Sequence, residues 1–256
     1  MIPIAFSIVP GVEGFRWLRE SLRIFRSQWL RYTSIAALFL LIMQVASLIS
    51  GGILVVFLKP VLSVGFLAAA WHHERGQLPE ARHLFAGFKS NVKALLPLGG
   101  IYLIGIIFAA AIAMAASGIT VEQVMAAEGK LKLDEVTQLK FMLITLVLTL
   151  PLSAALWFAP ALIVFSDATF FQALVVSCRA CLRNWLAMSA YAVAIFFLVL
   201  AAFAVAAPVL YLFQSAANAF AMILAVPLVA VWMISDYVSY RRVFHSNERV
   251  EPVRSA

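Results

Sequence analysis

Charge is scarce in this sequence. Only 12% of its 256 residues are Asp, Glu, Lys or Arg, against about 25% in a soluble domain, and 64% are hydrophobic against about 45–50%. Too little polar surface exists to cover a water-soluble globule of this length, and a mean hydropathy of +0.99 carries the apolar excess through most of the chain. Cysteine is nearly missing, and two residues exclude a disulfide framework. With 12 Gly and 10 Pro there is no collagen-like repeat, and the hydrophobic content excludes intrinsic disorder. A Ser/His/Asp arrangement, a phosphate-cradling glycine loop and a His-Glu-x-x-His word are also lacking, so no catalytic chemistry, cofactor or metal is expected.

What the sequence does contain is a set of long uncharged runs. A helix needs roughly 20 apolar residues to cross about 30 Å of hydrocarbon. Between Tyr32 and His73 the one charged residue is Lys59. Gly51-Gly52 divides this stretch into Tyr32 to Ser50 and Ile53 to Trp71, a helical hairpin with a tight glycine turn. Ala94 to Val121 and Phe141 to Ser166 supply spans three and four. Asn184 to Ser235 carries no charge and is too long for one crossing; Gln214, Ser215 and Asn218 break it, which makes six spans. The runs lack the two-residue alternation of barrel strands, so the expected fold is an all-α polytopic membrane bundle, one integral membrane domain over residues 1–256.

Orientation follows from the basic residues, which cytoplasmic segments retain. Arg16, Arg19, Arg23, Arg26 and Arg31 precede span one; Arg75, Arg82, Lys89 and Lys93 follow span two; Arg179 and Arg183 follow span four; Arg241, Arg242, Arg249 and Arg254 follow span six. The opposite side has Lys130, Lys132 and Lys140, offset by Glu122, Glu128, Asp134 and Glu135. Both termini are therefore expected in the cytoplasm, with Trp17, Trp29, Trp71, Trp185 and Trp232 at that interface. The apolar run after the arginines is too long for a secretory signal and no small-residue cleavage site follows it, so the N-terminus is expected to be retained. The formal charge of +7 then meets anionic phospholipids, not nucleic acid.

A basic amphipathic stretch precedes each odd-numbered span. Phe15, Leu18, Leu22, Phe25 and Trp29 line one helical face beside Arg16, Arg19, Arg23 and Arg26. Leu84, Phe88, Val92 and Leu95 with Lys89 and Lys93 form a second version. Phe171, Leu174, Cys178, Cys181 and Trp185 with Arg179 and Arg183 form the third. Such helices lie in the membrane interface. Pro60, Pro160 and Pro227 sit in spans two, four and six, where each should kink its helix unless neighbours satisfy the freed carbonyl, and Ser166-Asp167 and Ser235-Asp236 close spans four and six. These features predict three tandem units, 14–71, 82–165 and 168–235, each an interfacial helix followed by a hairpin. Between Gly118 and Lys140, Thr120-Val-Glu-Gln123 and Asp134-Glu135 mark two helix starts, with a turn at Gly129.

Three segments carry a family resemblance: Gly14-Phe15-Arg16-Trp17-Leu18 through Phe25-Arg26; Lys59-Pro60-Val61-Leu62-Ser63-Val64-Gly65-Phe66 with Gly76 and Leu84-Phe85-Ala86-Gly87-Phe88; and Cys178-Arg179-Ala180-Cys181-Leu182-Arg183-Asn184-Trp185. The chain resembles an uncharacterised family of six-span proteobacterial inner-membrane proteins, distantly similar to membrane domains found beside bacterial glycerophosphodiesterases. The resemblance implies an inner-membrane location and supplies no substrate or catalytic residue. The soluble phosphodiesterase domain has no counterpart here, so its chemistry does not transfer.

Each candidate residue has a plain alternative. Lys59 within a span marks a solute path or an anionic contact by default. Seven residues from Gly52, about 10 Å along a helix, it is also near enough the outer surface to snorkel, which we favour. Cys178-x-x-Cys181 lacks the context of a redox or zinc motif and reads as packing. His72, His73, Glu74 and His83 could bind a divalent metal, but a wet interfacial loop explains the same residues and is the reading we favour. Asp167 and Asp236 read as helix-end markers that could converge in the bundle.

The candidate lipid or solute contacts are thus Lys59, Arg16, Arg19, Arg23, Arg26, Arg179, Arg183, Asp167 and Asp236. The expected role is a non-enzymatic scaffold or accessory protein meeting anionic lipids and a membrane-protein partner or a second copy. Ala109, Ala110, Ala113, Ala115 and Ala116 would let helices approach closely. The alternative is a transporter or lipid-handling permease, with a polar cavity around Lys59, Gln44, Ser47 or Ser63.

Overall fold

The computed structural model describes residues 4–126, 133–212 and 217–245. Among these, every regular element is helical. In chain order they are α1 (Glu13–Ser27), α2 (Trp29–Ser50), α3 (Ile53–Glu74), a 3-10 turn (Ala81–Phe85), α4 (Ala86–Lys89), α5 (Val92–Ala116) and α6 (Val121–Ala126). There follow α7 (Glu135–Trp157), α8 (Ala159–Phe165), α9 (Phe170–Arg183), α10 (Trp185–Leu212) and α11 (Ala217–Phe244). Six segments among the described residues are long and apolar enough to cross a bilayer: α2, α3, α5, the pair α7 and α8, α10 and α11.

Local chemistry explains the boundaries. Gly51 and Gly52 have φ of +60° and +97°, a region that strains any residue with a side chain, and they close the α2–α3 hairpin. The Ser50 hydroxyl donates to the Ala46 carbonyl and accepts the Leu54 N–H at 2.9 Å across this turn. Thr120 and Gln123 cap α6 reciprocally, at 3.1 and 3.2 Å, and the Asp134 carboxylate accepts the Thr137 N–H at 3.0 Å to start α7. The expected turn at Gly129 and the break residues Gln214 and Ser215 lie outside the described residues, while Asn218 falls at the start of α11.

Span six departs from the sequence reading. It continues past Ser235-Asp236 to Phe244, so Asp236 lies inside a helix and does not end one. Charge failed as a boundary signal because partners from distant helices neutralise Arg241 and Arg242. Asp167 does follow a helix end, just beyond α8, with φ +48°.

Pro60 and Pro227 lie in unbroken helices, as do Pro97, Pro151 and Pro208, so proline is not reserved for even spans. Pro160 alone of the three expected kinks separates two helices, α7 and α8. In a continuous helix the Phe158 N–H would pair with the Ala154 carbonyl. Here the Ser177 hydroxyl from α9 sits between them, accepting from Phe158 at 2.9 Å and donating to Ala154 at 2.7 Å. A side chain inserted into the ladder stabilises the break.

The amphipathic helices each pack one face into the bundle. On α1 the buried positions are Glu13, Gly14, Trp17, Leu18, Ser21 and Ile24, packed against α10 and α11, while Phe15 and Trp29 are exposed. On α9 they are Ala173, Ser177, Ala180 and Cys181, with Phe171 and Trp185 outside. Lipid solvates large apolar side chains as well as protein does, so small and hydrogen-bonding residues take the contact face. Gly14 shows how close that contact is: a Cβ there would meet the Ala187 carbonyl oxygen at 2.1 Å. Trp17 is fully buried against Tyr191, so its ring contacts protein and not lipid. In α5, Ala109 and Ala113 are buried but Ala115 and Ala116 face outward.

The second expected amphipathic helix is not one helix. Leu84 belongs to the 3-10 turn and Phe88 to α4, whereas Val92 and Leu95 lie beyond a break at Ser90 and Asn91, in α5. Comparable breaks at Gln28 and Asn184 separate α1 from α2 and α9 from α10. Asn184, almost fully buried, accepts the Val9 N–H at 2.8 Å and donates to the Ser7 and Ala180 carbonyls. The Ser7 N–H in turn donates to the Val243 carbonyl at 2.8 Å. The segment before α1 and the end of α11 thus meet at one end of the bundle, called the basic end below.

Candidate functional site

Three helices bring charge together at the basic end. Glu20 comes from the inner edge of α1, Glu74 from the last turn of α3, and Tyr237, Arg241 and Arg242 from the last turns of α11. Arg241 Nη2 donates to Glu20 Oε1 at 2.7 Å, and its Nη1 pairs with Glu74. Arg242 Nη2 reaches Glu20 Oε2 at 2.9 Å, and the Tyr237 hydroxyl donates to Glu74 Oε2 at 2.6 Å. Only 10–14% of the Glu20, Glu74 and Arg241 side chains is exposed, so water screens these pairs weakly. Burial pushes the Glu20 carboxyl up, but Arg241 and Arg242 outweigh it and hold the group below the usual carboxylate range. Desolvation makes such a network a weak source of net stability; its effect is to fix the register of α1, α3 and α11.

Histidines occupy the adjoining edge. His73 hydrogen-bonds the Tyr32 hydroxyl at 3.0 Å and stands 3.4 Å from the Ser27 hydroxyl. His83 accepts the Glu80 N–H on Nδ1 at 2.9 Å and stacks on His72, ring centroids 4.7 Å apart. Burial, then His72 and Arg82, push the His83 imidazole below its ordinary value. Among the described residues no group of three or more His, Cys, Asp or Glu could hold a metal ion. Beside this edge a cleft of about 260 Å³ opens between α3, α8 and α11, walled by Trp71, Phe165, Tyr237 and Tyr240 with Arg75 and Arg241.

The arginines singled out from the sequence are all exposed: Arg16, Arg19, Arg23 and Arg26 on α1, Arg179 and Arg183 on α9. Arg16 pairs with Glu13 at 2.5 Å and Arg23 with Glu20 at 3.3 Å. Lys59 is exposed on α3. Asp236 is half-buried beside Ser235, whose hydroxyl bonds that of Tyr191. Asp167 is exposed, and no hydrogen bond or ion pair joins it to Asp236. Gln44 is exposed on α2, and the Ser63 hydroxyl donates to the Pro60 carbonyl at 2.9 Å. Cys178 and Cys181 are free thiols, and burial pushes Cys181 up to about 12, which keeps it protonated and unreactive.

Glu20 and its pairing with Arg241 were not visible from the sequence, 221 positions apart. A weak signal existed: Glu13 and Glu20, seven residues apart, share the face of α1 that carries Gly14, Trp17, Ser21 and Ile24. Acidic residues on the contact face of a basic helix announce cationic partners elsewhere in the chain.

No family model matches the chain, and no solved structure matches it. It is similar to a Burkholderia thailandensis protein described as a probable inner membrane protein, 29% identical over 257 residues that cover 95% of each chain. With six apolar spans in an all-α bundle, the chain is a multi-pass protein of the bacterial inner membrane.

Proposed function

We propose that this protein works without catalysis, as an inner-membrane scaffold or accessory protein that gathers anionic phospholipids around its basic end. One observation carries the reading. On all three elements that precede odd-numbered spans, cations and large apolar side chains are exposed side by side. They are Phe15 with Arg16 and Arg19 on α1, Phe85 and Phe88 with Arg82 and Lys89 around α4, and Leu182 with Arg179 and Arg183 on α9. Such faces suit the headgroup layer, where each basic residue contributes about 1 kcal/mol of attraction to an anionic leaflet. Retention of Lys and Arg in the cytoplasm supports an orientation with this end, and both termini, on the inner side.

The same elements support a single membrane domain made of three tandem units, 14–71, 82–165 and 168–235, since Gln28, Asn91 and Asn184 each interrupt the helix ahead of a crossing. The distant resemblance to membrane domains beside glycerophosphodiesterases accords with a lipid-facing role. Exposed outer helix faces would receive a membrane partner or a second copy. A permease is the second reading, favoured by Lys59 and Asp236, ionisable residues placed within spans two and six.

Extraction in native lipid discs tests the proposal. Phosphatidylglycerol and cardiolipin should be enriched over phosphatidylethanolamine, and replacing Arg16, Arg19, Arg23 and Arg26 with Ala should abolish much of that enrichment. Equal lipid composition in both samples would refute it, and a defined co-extracted solute would favour the permease. Reporter fusions at each terminus test the orientation, and an external signal from either would overturn it.

A further inference from the structure

The cleft between α3, α8 and α11 has the chemistry of a phosphate site. We propose that it binds one phosphodiester group carrying a single negative charge, with Arg75 as the principal contact. The inference rests on the lipid-binding reading above and specifies a discrete site within it.

Three observations converge. The first is an uncommitted cation. Among the described residues Arg75, like Arg19, Arg26, Arg31, Arg179 and Arg183, has no carboxylate partner, and of these six it is the one that lines the cleft. Its guanidinium lies 3.6 Å from the centre of the Trp71 ring, and one nitrogen donates to the Trp71 carbonyl at 3.3 Å, so the group is held in place with other donors free. A pre-oriented planar fork is well suited to two phosphate oxygens.

The second is the rest of the wall. Arg241 adds positive charge but is anchored by Glu20 and Glu74, which makes it a fixed part of the cleft and not its binding arm. Trp71, Phe165, Tyr237 and Tyr240 supply flat apolar surface for the carbon attached to the phosphate. A volume of about 260 Å³ accommodates a headgroup but not a whole phospholipid.

The third concerns charge and depth. The cleft lies at the C-terminal ends of α3, α8 and α11, whose dipoles place partial negative charge there. That field opposes a dianionic monoester more than a singly charged diester. Arg75 and Arg241 stand at the ends of spans two and six, at headgroup level, so a lipid of the same leaflet reaches the cleft with its chains still in hydrocarbon. A soluble phosphodiester would satisfy the same contacts from the aqueous side.

The experiment uses the full-length protein in nanodiscs, with native mass spectrometry counting retained phosphatidylglycerol against a phosphatidylcholine background. Wild type should retain one tightly held molecule. Arg75→Ala should weaken retention about tenfold, the loss of a charge-assisted contact, and Arg75→Lys should restore it in part. Val164→Trp, which fills the cleft without altering charge, should also weaken it. A variant with Ala at Arg16, Arg19, Arg23 and Arg26 should keep this one molecule while losing the looser lipids. If dimethyl phosphate binds with the same dependence on Arg75 while no lipid is retained, the cleft stands with a soluble source. Unchanged retention in Arg75→Ala and Val164→Trp, with loss only in the α1 variant, would overturn the cleft and leave the scaffold reading intact. No preference for phosphatidylglycerol in any sample, and no dimethyl phosphate binding, would defeat both.

Discussion

Ser177→Ala removes the hydroxyl that occupies the gap in span four, and the structure sets what that should do. The Phe158 N–H and Ala154 carbonyl both lose a partner at a site where Phe158 and Ser177 are 1% and 0% exposed. Each unsatisfied buried group costs about 1–3 kcal/mol, and partial relaxation of the neighbours brings the sum to about 2–4 kcal/mol. The helix could recover by closing its own bond between the same two groups, but Pro160 two residues later holds the break open. Replacing Pro160 with Ala should remove that obstacle, so Pro160→Ala and Ser177→Ala together should cost less than the sum of the two singles, with a coupling of at least about 1 kcal/mol. Unfolding by SDS in mixed micelles, followed by circular dichroism on the four proteins, measures this cycle. A Ser177→Ala protein as stable as wild type, or strictly additive effects, would refute the reasoning.

Gly14→Ala should loosen α1 from α10, because the new Cβ would meet backbone atoms of Ala187 and Tyr191 at 2.1 and 2.5 Å; protease cleavage within residues 13–27 should accelerate. Gly51→Ala meets nothing within 4 Å and should cost only about 1–2 kcal/mol for its left-handed conformation, seen as a small drop in unfolding midpoint. Glu20 is held below its ordinary value of 4.5, so its contribution to docking α1 is complete above that pH and is lost as pH falls through the lower folded value. Acid titration of α1 protease protection should show the loss, and Glu20→Gln should flatten the curve. His83 has a folded value below 6.5, so its neutral form stabilises the cap fully above that pH and protonation removes it as pH falls. Hydrogen exchange over residues 80–85, corrected for intrinsic rates, should rise in that window and do so less in His83→Asn.

Much of the architecture was legible because its causes are local. The hairpin at Gly51 and Gly52 and the Thr120 and Asp134 caps each depend on residues within one or two helical turns, whereas the break at Pro160 also needs Ser177 from α9, and Pro60 and Pro227, without such a partner, leave their helices unbroken. The inward faces of α1 and α9 were not legible. The sequence reading laid these helices in the membrane interface, and Phe15 and Phe171 of the apolar stripe are exposed; what it did not single out is the neighbouring face of Gly14, Ser21, Ala173 and Ser177, which points into the bundle. The end of span six was misplaced because Arg241 and Arg242, further along α11, find carboxylates on other helices, so the helix runs through Asp236 to Phe244. The charge cluster at the basic end was not legible. Glu20, Glu74 and Arg241 come from the two ends of the chain and its first hairpin.

The amino-acid order alone determined which segments are long and apolar enough to cross the bilayer, since the free energy of placing a segment in hydrocarbon depends on that segment's own side chains and backbone, though not where span six ends. Which helices meet, and through which faces, was decided only in the folded bundle. Moving a leucine from lipid to protein changes its surroundings little, so the outcome rests on close fit at small residues, hydroxyls bridging open backbone groups and charges that find one another across hundreds of positions.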